Sequence, residues 1–400
     1  MIRRLLRAGQ RRTDRADVAV GRPGPVTVIH DYLTQRGGAE RVAILFATEH
    51  GGRAMETSAV ILDRTFPEVA DLTVRSLLQG LPTALIRRRA TLGPLAGLGF
   101  LIHAVHEGVV LCSSSGWSHW VRGRAPRLVY CHTPARWLYE PDDYFVGLRP
   151  GLRRLLSVAL APVRAVDRRR MAAATTVVAN GPVTAQRIKR VYGIEARVVI
   201  PPAGIDATGP QEAVAGVQDD FYLVVGRPRG YKNLDLVTSV FAQRQSGQLI
   251  VVGGQQRASA DDSIRELGRV SDAQLRWLYE HARAVICLAH EDLGLVPLEA
   301  FQFGTPAVAL EAGGYLATCT PGVNAVFVES EDADALVRAL DILTTTPFDA
   351  QVIRDSARQF TPAGFHRIIG TLLSELADDG SGDSQGMSTV PTAARSRESA

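Results

Sequence analysis

The sequence predicts an α/β protein with two doubly wound, parallel-sheet domains. Three observations carry that expectation. The chain has 400 residues, enough for two ordinary domains, and 46% of them are hydrophobic. Short apolar runs recur along it, each followed by a glycine-bearing or polar loop and then a helical pattern. A stretch at about 204–219 that holds Gly, Pro and Gln separates two halves sharing this strand–helix rhythm, as a hinge would. No repeat of solenoid period is visible.

Composition narrows the function classes. The formal net charge is +4, and Lys189 and Lys232 are the only lysines, so 43 of the 45 basic residues are arginine. Such a balance suits phosphates or an anionic membrane surface. No basic–aromatic pattern calls for nucleic acid. Cys112, Cys131, Cys287 and Cys319 lie far apart without metal-ligand spacing, and read as reduced, buried thiols of a cytoplasmic protein. No run approaches the length of a membrane span, and the basic start, Met1 to Arg7, lacks the apolar core of a signal peptide.

The elements follow in order. Residues 1–24 read as a basic arm, with Arg3, Arg4, Arg7, Arg11, Arg12 and Arg15 around Leu5 and Leu6; it is either a loose tail or an attachment to acidic lipid headgroups. A first strand at 26–30 leads through Gly37-Gly38 into a helix ending near Ala47, a geometry in which backbone N–H groups can approach a phosphate. A second strand is expected at 59–62. The basic-apolar stretch 76–108, with Arg87-Arg88-Arg89, reads as a helix that either meets a lipid-linked molecule or is an ordinary amphipathic surface helix. His103, His106 and Glu107 mimic metal spacing but lack a third ligand element, so no metal is expected. A strand at 109–112 ends in Ser113-Ser114-Ser115-Gly116. Another, ending at His132, places an imidazole at a strand C-terminus, where α/β sheets bind ligands. A lone histidine is usually structural. Trp137, Tyr139 and Tyr144 suit either an aromatic platform or core packing.

A helix at 151–173, a strand at 176–179, a helix through Tyr192 and a strand at 196–200 complete a first domain spanning 25–204. A second domain, 218–361, opens with the strand 221–225, followed by Arg227 and Lys232. These cations, five apart after a strand, can grip a diphosphate from two sides, Arg by a fork and Lys as a point charge. A strand at 249–252 and a helix capped by Ser271 or Asp272 follow. The strand 284–288 then leads to Glu291 and Glu299, eight positions apart, with Gly294 and Pro297 opening a helix between them. Two carboxylates bracketing a helix start suit a polyol with an anionic centre; equally, one is a solvated loop residue and the other a helix-face residue. A strand at 307–310 and a helix at 333–344 follow. A helix at 362–377 returns to the first domain, and 378–400 reads as a disordered tail.

The segment Glu291-Asp292-Leu293-Gly294-Leu295-Val296-Pro297-Leu298-Glu299-Ala300 resembles the signature of retaining glycosyltransferases of family 4, also called glycosyl transferases group 1. Bacterial mannosyltransferases of O-antigen and exopolysaccharide synthesis are the most similar. Arg36-Gly37-Gly38-Ala39-Glu40-Arg41-Val42, Tyr130-Cys131-His132-Thr133-Pro134 and Gly226-Arg227 with Tyr231-Lys232-Asn233 fall in the family's order, and the resemblance spans about 26–367.

It implies a GT-B fold whose last helix packs back on the N-terminal domain. It also implies a nucleotide-diphosphate sugar donor, GDP-mannose first among them, with no metal or other cofactor required. The acceptor would be a glycan or a lipid-linked molecule, met in the cytoplasm or peripherally on the inner face of the membrane. On the same ground Gly37 and Gly38 would face the donor diphosphate, and Arg227 and Lys232 would hold it. The backbone near Val270 would meet the base. Glu299 would hold the ribose. Glu291, with Gly294, Leu295 and Val296, would hold the sugar, and His132 would lie beside it. Ala317 stands where the family usually has Glu, which leaves local support of the donor loop open. Rival expectations are a sugar-nucleotide epimerase of the same fold and a non-catalytic binding subunit. A dinucleotide oxidoreductase is disfavoured, since neither glycine loop reads G-x-G-x-x-G.

Overall fold

The structure is a computed structural model that describes residues 25–145, 148–226, 233–244, 247–254 and 263–382. The expectations for the arm 1–24, for Arg227 and Lys232, and for 383–400 lie outside the described residues.

Among the described residues the chain forms two parallel sheets. The first contains β1 (Val26–His30), β2 (Ala54–Thr57), β3 (Thr73–Ser76), β4 (Val109–Ser114), β5 (Arg127–Cys131), β6 (Thr176–Ala179) and β7 (Arg197–Val198), in the order β3-β2-β1-β4-β5-β6-β7. The second contains β8 (Phe221–Val225), β9 (Leu249–Val252), β10 (Ile264–Gly268), β11 (Ala282–Cys287), β12 (Ala307–Leu310) and β13 (Ala325–Val328), in the order β10-β9-β8-β11-β12-β13. The central strands β4, β5, β9 and β12 are buried along their whole length. That is why they read as unbroken apolar runs: helices cover both faces of a parallel sheet.

Three expectations about elements are corrected. The second strand is Ala54–Thr57, not 59–62. Ala59 and Ile61 are buried and exchange backbone hydrogen bonds with Leu33, but beyond the end of the sheet proper. The true strand, Ala-Met-Glu-Thr, is buried only at alternate residues, so its apolar signal is weak. The returning helix runs over Pro362–Gly382, so residues 378–382, expected to open a disordered tail, are helical.

That helix docks as the sequence predicts, on the first sheet. Phe365, Ile369, Leu372, Leu373 and Leu376 are buried in the core of the first lobe. Phe365 stacks on Phe46 at 5.6 Å and meets Tyr130 edge-on at 5.7 Å. The long helix expected at 151–173 is two, Pro150–Ala159 and Ala161–Ala172. The second is tethered to the sheet by Asp167, a fully buried carboxylate that accepts from His119 Nε2 (2.9 Å), Trp120 Nε1 (2.7 Å), Tyr139 Oη (2.7 Å) and Tyr192 Oη (2.9 Å). Burial alone would push Asp167 up, but the His119 imidazole and these donors hold it below the usual carboxylate range. Ser114 Oγ lies 2.8 Å from His119 Nδ1, which completes a serine–histidine–aspartate row. All three are buried, so the row is a tether and has no access to substrate. Tyr139 and Trp137, which stacks on Trp117 at 4.6 Å, are likewise packing residues. His103 pairs with Glu56 at 2.5 Å, and no metal-type group is present among the described residues.

The docked helix carries a pH dependence. His366 Nδ1 lies 3.3 Å from His50 Nε2 at the end of the first helix. Burial and the neighbouring His366 push His50 down to about 4, and burial also lowers His366. An unfolded chain takes up these protons near 6.5, before the folded one does. The stability they contribute is therefore complete above about pH 6.5 and lost as pH falls toward 4. Acidification from pH 7.5 to 5 should cost about 1–2 kcal/mol through His50. Chemical denaturation at the two pH values checks this, and His50→Gln should flatten the difference.

Candidate functional site

Both sheets reverse their strand order at one point, β1/β4 in the first and β8/β11 in the second. Loops leave such neighbouring strands in opposite directions and open a crevice at their C-terminal ends, where α/β sheets bind ligands. Four of the predicted segments lie on this edge. Gly37 is the N-cap of the helix Gly38–Glu49 after β1, and His132 follows β5 directly. Glu291 to Glu299 follows β11, and Val270 follows β10.

The 291–299 segment owes its path to glycines. Gly294, the N-cap of the helix Leu295–Phe301, has φ 77° and packs beneath Tyr315, so that a Cβ there would fall 2.3 Å from Tyr315 Cε1. Gly313, at φ 64°, brings Gly314 N to 2.9 Å from Glu291 O. A Cβ on Gly314 would sit 2.1 Å from Leu293 Cα, so backbone lies directly on backbone there. Leu295 and Val296 turn their side chains onto the core of the second lobe.

The opposite lobe meets this segment with glycines of its own. A Cβ on Gly38 would lie 2.8 Å from Leu295 Cδ1, one on Gly181 3.3 Å from Leu293 Cδ1, and one on Gly204 2.6 Å from Glu299 Oε1. The lobes are thus in contact along the whole predicted donor segment. Two ion pairs flank the contact. Arg41 Nη2 reaches Asp272 at 3.3 Å while its Nη1 holds Glu68 at 2.6 Å. At the other end Arg187 pairs with Asp292, and also with Glu140 at 3.0 Å and Thr133 Oγ1 at 3.3 Å. Arg187 therefore joins the neighbour of His132 to the neighbour of Glu291.

Glu299 accepts from Tyr279 Oη at 2.6 Å. Burial pushes its carboxyl up, opposed by the Tyr279 hydrogen bond, the nearby Arg41 and the Gly204 N–H. Val270 packs against the second core, just before Ser271 caps the next helix. Ser271 forms a capping box with Gln274, each bond 3.1 Å. This fixes the backbone at 270 without consuming a cleft-facing charge.

His132 is buried, and its Nε2 lies 2.8 Å from Ser113 Oγ. Burial and the neighbouring His30 hold its pKa down at about 3, so the ring is neutral at physiological pH. Ser113 Oγ also meets His30 Nδ1 at 3.0 Å, whereas His30 Nε2 is buried without a partner. Beside them Asp31 accepts three backbone N–H groups, from Ser115 (2.7 Å), Trp117 (3.2 Å) and Ser118 (2.6 Å), which fixes the loop after β4.

Comparison with known proteins fits this geometry. The fold is GT-B: two Rossmann-like lobes facing a cleft. Anabaena HepE, solved with UDP and glucose, superposes with a TM-score of 0.63 at 16% identity, covering 88% of this chain and 100% of that one. WaaG, a glycosyltransferase involved in lipopolysaccharide biosynthesis, gives 0.57 at 16% identity over 90% and 100%. Residues 210–360, nearly all of the second lobe, match the family described as glycosyl transferases group 1. The D-inositol 3-phosphate glycosyltransferase of Geodermatophilus obscurus is 30% identical over 273 residues, 59% of this chain and 58% of that protein. The alpha-1,3/1,6-mannosyltransferase of Kluyveromyces lactis is 24% identical over 280 residues, 54% and 53% respectively. The chain thus spans little more than half the length of these relatives.

The structure brings Gly38 against Leu295 and Gly204 against Glu299, keeps Glu291, Gly294 and Val296 on the same segment, and links His132 to it through Thr133, Arg187 and Asp292. Arg41, Arg187, Tyr279, Ser113 and His30 were not singled out from the sequence. Arg41 lies within the quoted glycine motif, and His30 ends a strand that was recognised. Arg187 has no local signal at all, being one of two arginines on the helix Pro182–Tyr192. Gly314→Ala should displace the Glu291 loop, because the added methyl meets backbone. If the loop holds a ligand, affinity for it should fall about tenfold or more with the fold retained, read by calorimetry and circular dichroism.

Proposed function

We propose that the protein transfers a sugar from a nucleotide diphosphate to a glycan or lipid-linked acceptor, with retention of configuration and with GDP-mannose as the first donor to test. The observation that carries this is the meeting of both switch points on the Glu291–Glu299 segment. One crevice thereby gathers two carboxylates, a glycine loop and a neutral histidine. The match of residues 210–360 to glycosyl transferases group 1 supports the same reading.

In this reading Glu299 binds the ribose, and the Glu291 loop with the amides of Gly294, Leu295 and Val296 binds the sugar. Arg227 and Lys232 stabilise charge on the departing diphosphate, electrostatic catalysis that calls for no metal. The acceptor oxygen bonds to the anomeric carbon on the face from which the diphosphate oxygen leaves. The acceptor proton passes to that leaving oxygen, the nearest base on the same face. The buried, neutral state of His132 suits a hydrogen bond to the sugar rather than proton abstraction.

The donor is assigned by screening nucleotide sugars for nucleotide release with and without acceptor. UDP-glucose belongs in the panel, since HepE is solved with it. Glu291→Ala and Lys232→Ala should each lower kcat/KM by about 10²-fold or more. Wild-type turnover in either variant overturns the site. An epimerase would convert the nucleotide sugar without acceptor, and a binding subunit would bind donor without turnover.

A membrane-borne acceptor suits the outer face of the first lobe. There the helix Arg89–Ile102 exposes Leu98 and Ile102, and Pro150–Ala159 exposes Leu152, Leu155 and Val158 alongside Arg154. Such a basic-apolar surface fits anionic lipid. No helix among the described residues is long and apolar enough to cross a membrane. Leu155→Asp with Val158→Asp should reduce cosedimentation with phosphatidylglycerol vesicles by about tenfold, and equal binding would remove this face from consideration.

A further inference from the structure

The histidine at the cleft is the end of a hydrogen-bonded row across three strands. Parallel pairing places His30 of β1 directly opposite Ser113 of β4, and β4 pairs in turn with β5, which ends beside His132. His30 Nδ1 lies 3.1 Å from the Ser113 carbonyl oxygen and 3.0 Å from Ser113 Oγ, and Ser113 Oγ lies 2.8 Å from His132 Nε2. His30, Ser113 and His132 are all buried, so bulk water does not rearrange these bonds freely.

The hydrogens in this row can be assigned by counting. A carbonyl oxygen only accepts, so His30 Nδ1 carries a hydrogen. Ser113 Oγ therefore receives a hydrogen bond from His30 and has its single hydrogen to give. Its other partner is His132 Nε2, which must be the acceptor. A neutral imidazole has one N–H, so the hydrogen of His132 is on Nδ1. The reverse arrangement, with His132 donating from Nε2, would leave the Ser113 hydrogen facing a His30 nitrogen that already bears one. The partnerless His30 Nε2 agrees with this count, since it is then a bare lone pair in a buried site.

We propose that His30 and Ser113 are positioning residues that lock His132 in its Nδ1–H tautomer, leaving Nδ1–H as the donor for a substrate hydroxyl. The role of His132 toward the sugar rests on the glycosyl-transfer reading; the lock itself does not. Asp31, adjacent to His30, clamps the start of the loop after β4 by its three backbone bonds and so holds Ser113 in place against both rings.

Two readouts test this. In the full-length protein, ¹⁵N-labelled at histidine, long-range proton–nitrogen correlation spectra should show His132 as the Nδ1–H tautomer near pH 7.5, its signals assigned by their absence in His132→Asn. Ser113→Ala should abolish that bias, and Ser113→Thr, which keeps the hydroxyl, should restore it. His30→Asn, whose amide nitrogen stands near the position of Nδ1, should preserve the bias, and His30→Leu should weaken it. With the donor found in the screen, Ser113→Ala should lower kcat by about 10–100-fold with KM changed less than about threefold, and Ser113→Thr should recover most of the rate.

An Nε2–H tautomer in the wild type overturns the proposal, as does a Ser113→Ala protein that keeps both tautomer and kcat. Should Ser113→Ala fail to fold, the wild-type spectrum and the His30 variants decide. A wild-type protein that shows the tautomer but transfers no sugar would remove the glycosyl-transfer reading and leave the lock standing.

Discussion

The arrangement depends on one close approach: the backbone from Glu291 to Glu299 fits between glycines on both sides. From its own lobe Gly313 and Gly314 press against Glu291 and Leu293, at distances that leave no room for a Cβ. From the other lobe Gly38, Gly181 and Gly204 receive Leu295, Leu293 and Glu299. A side chain at Gly314 would have to displace main chain, whereas one at Gly38 would meet only the tip of a leucine. The first contact therefore defines the loop, and the second sets how closely the lobes can meet over it. The loop that carries Glu291 takes its position from this sandwich, whereas His132 is held by its own sheet.

The carboxylates near the cleft divide by how they are satisfied. Asp31 and Asp167 are buried and saturated with donors, three backbone amides for one and four side chains for the other. A buried carboxylate so supplied is a structural anchor, since its charge is already met by donors of the protein itself. Glu299 is different. Burial raises its pKa, and Tyr279, Arg41 and the Gly204 amide compensate only in part. A group held in that incomplete balance stands to gain from further hydroxyl donors, which a ribose would bring. Arg187 divides its guanidinium among Asp292, Glu140 and Thr133, and so couples the loop after β5 to the loop after β11.

The central strands were legible because burial on both faces makes their sequences continuously apolar, as in Val-Val-Leu-Cys before Ser113 and Leu-Ile-Val-Val before Gly253. Some edge and near-edge strands were not. Thr73–Ser76 and Ile264–Gly268 carry polar residues on partly exposed faces, and Ala54–Thr57 alternates too briefly to stand out. The neighbouring apolar run at 59–62 was mistaken for it because burial and strand pairing are separate properties. At the site, the local motifs were visible: the glycine pair, the histidine at a strand end, the paired glutamates. What sequence could not supply were the partners that become neighbours only through sheet order. Ser113 reaches His132 because β4 lies beside β5, and His30 reaches Ser113 because β1 crosses over to lie beside β4. Arg187 meets Asp292 across 105 positions of chain and between lobes.

Sheet order also bears on Ala317, where the resembling family usually has a glutamate. Here Ala317 ends the short turn Gly313–Ala317, whose Tyr315 is buried against Gly294 and whose Gly314 amide holds the Glu291 carbonyl. Support for the Glu291 loop therefore comes from backbone contact and an aromatic ring, both rooted in the core around β12. A carboxylate at 317 would add a charge behind a loop that already carries Glu291 and Asp292, in a chain that offers Arg187 from the other lobe to balance the latter. The loop is thus held by packing on one side, while on the other a guanidinium balances Asp292. The turn without the glutamate still holds Glu291 just beyond the C-terminal end of β11.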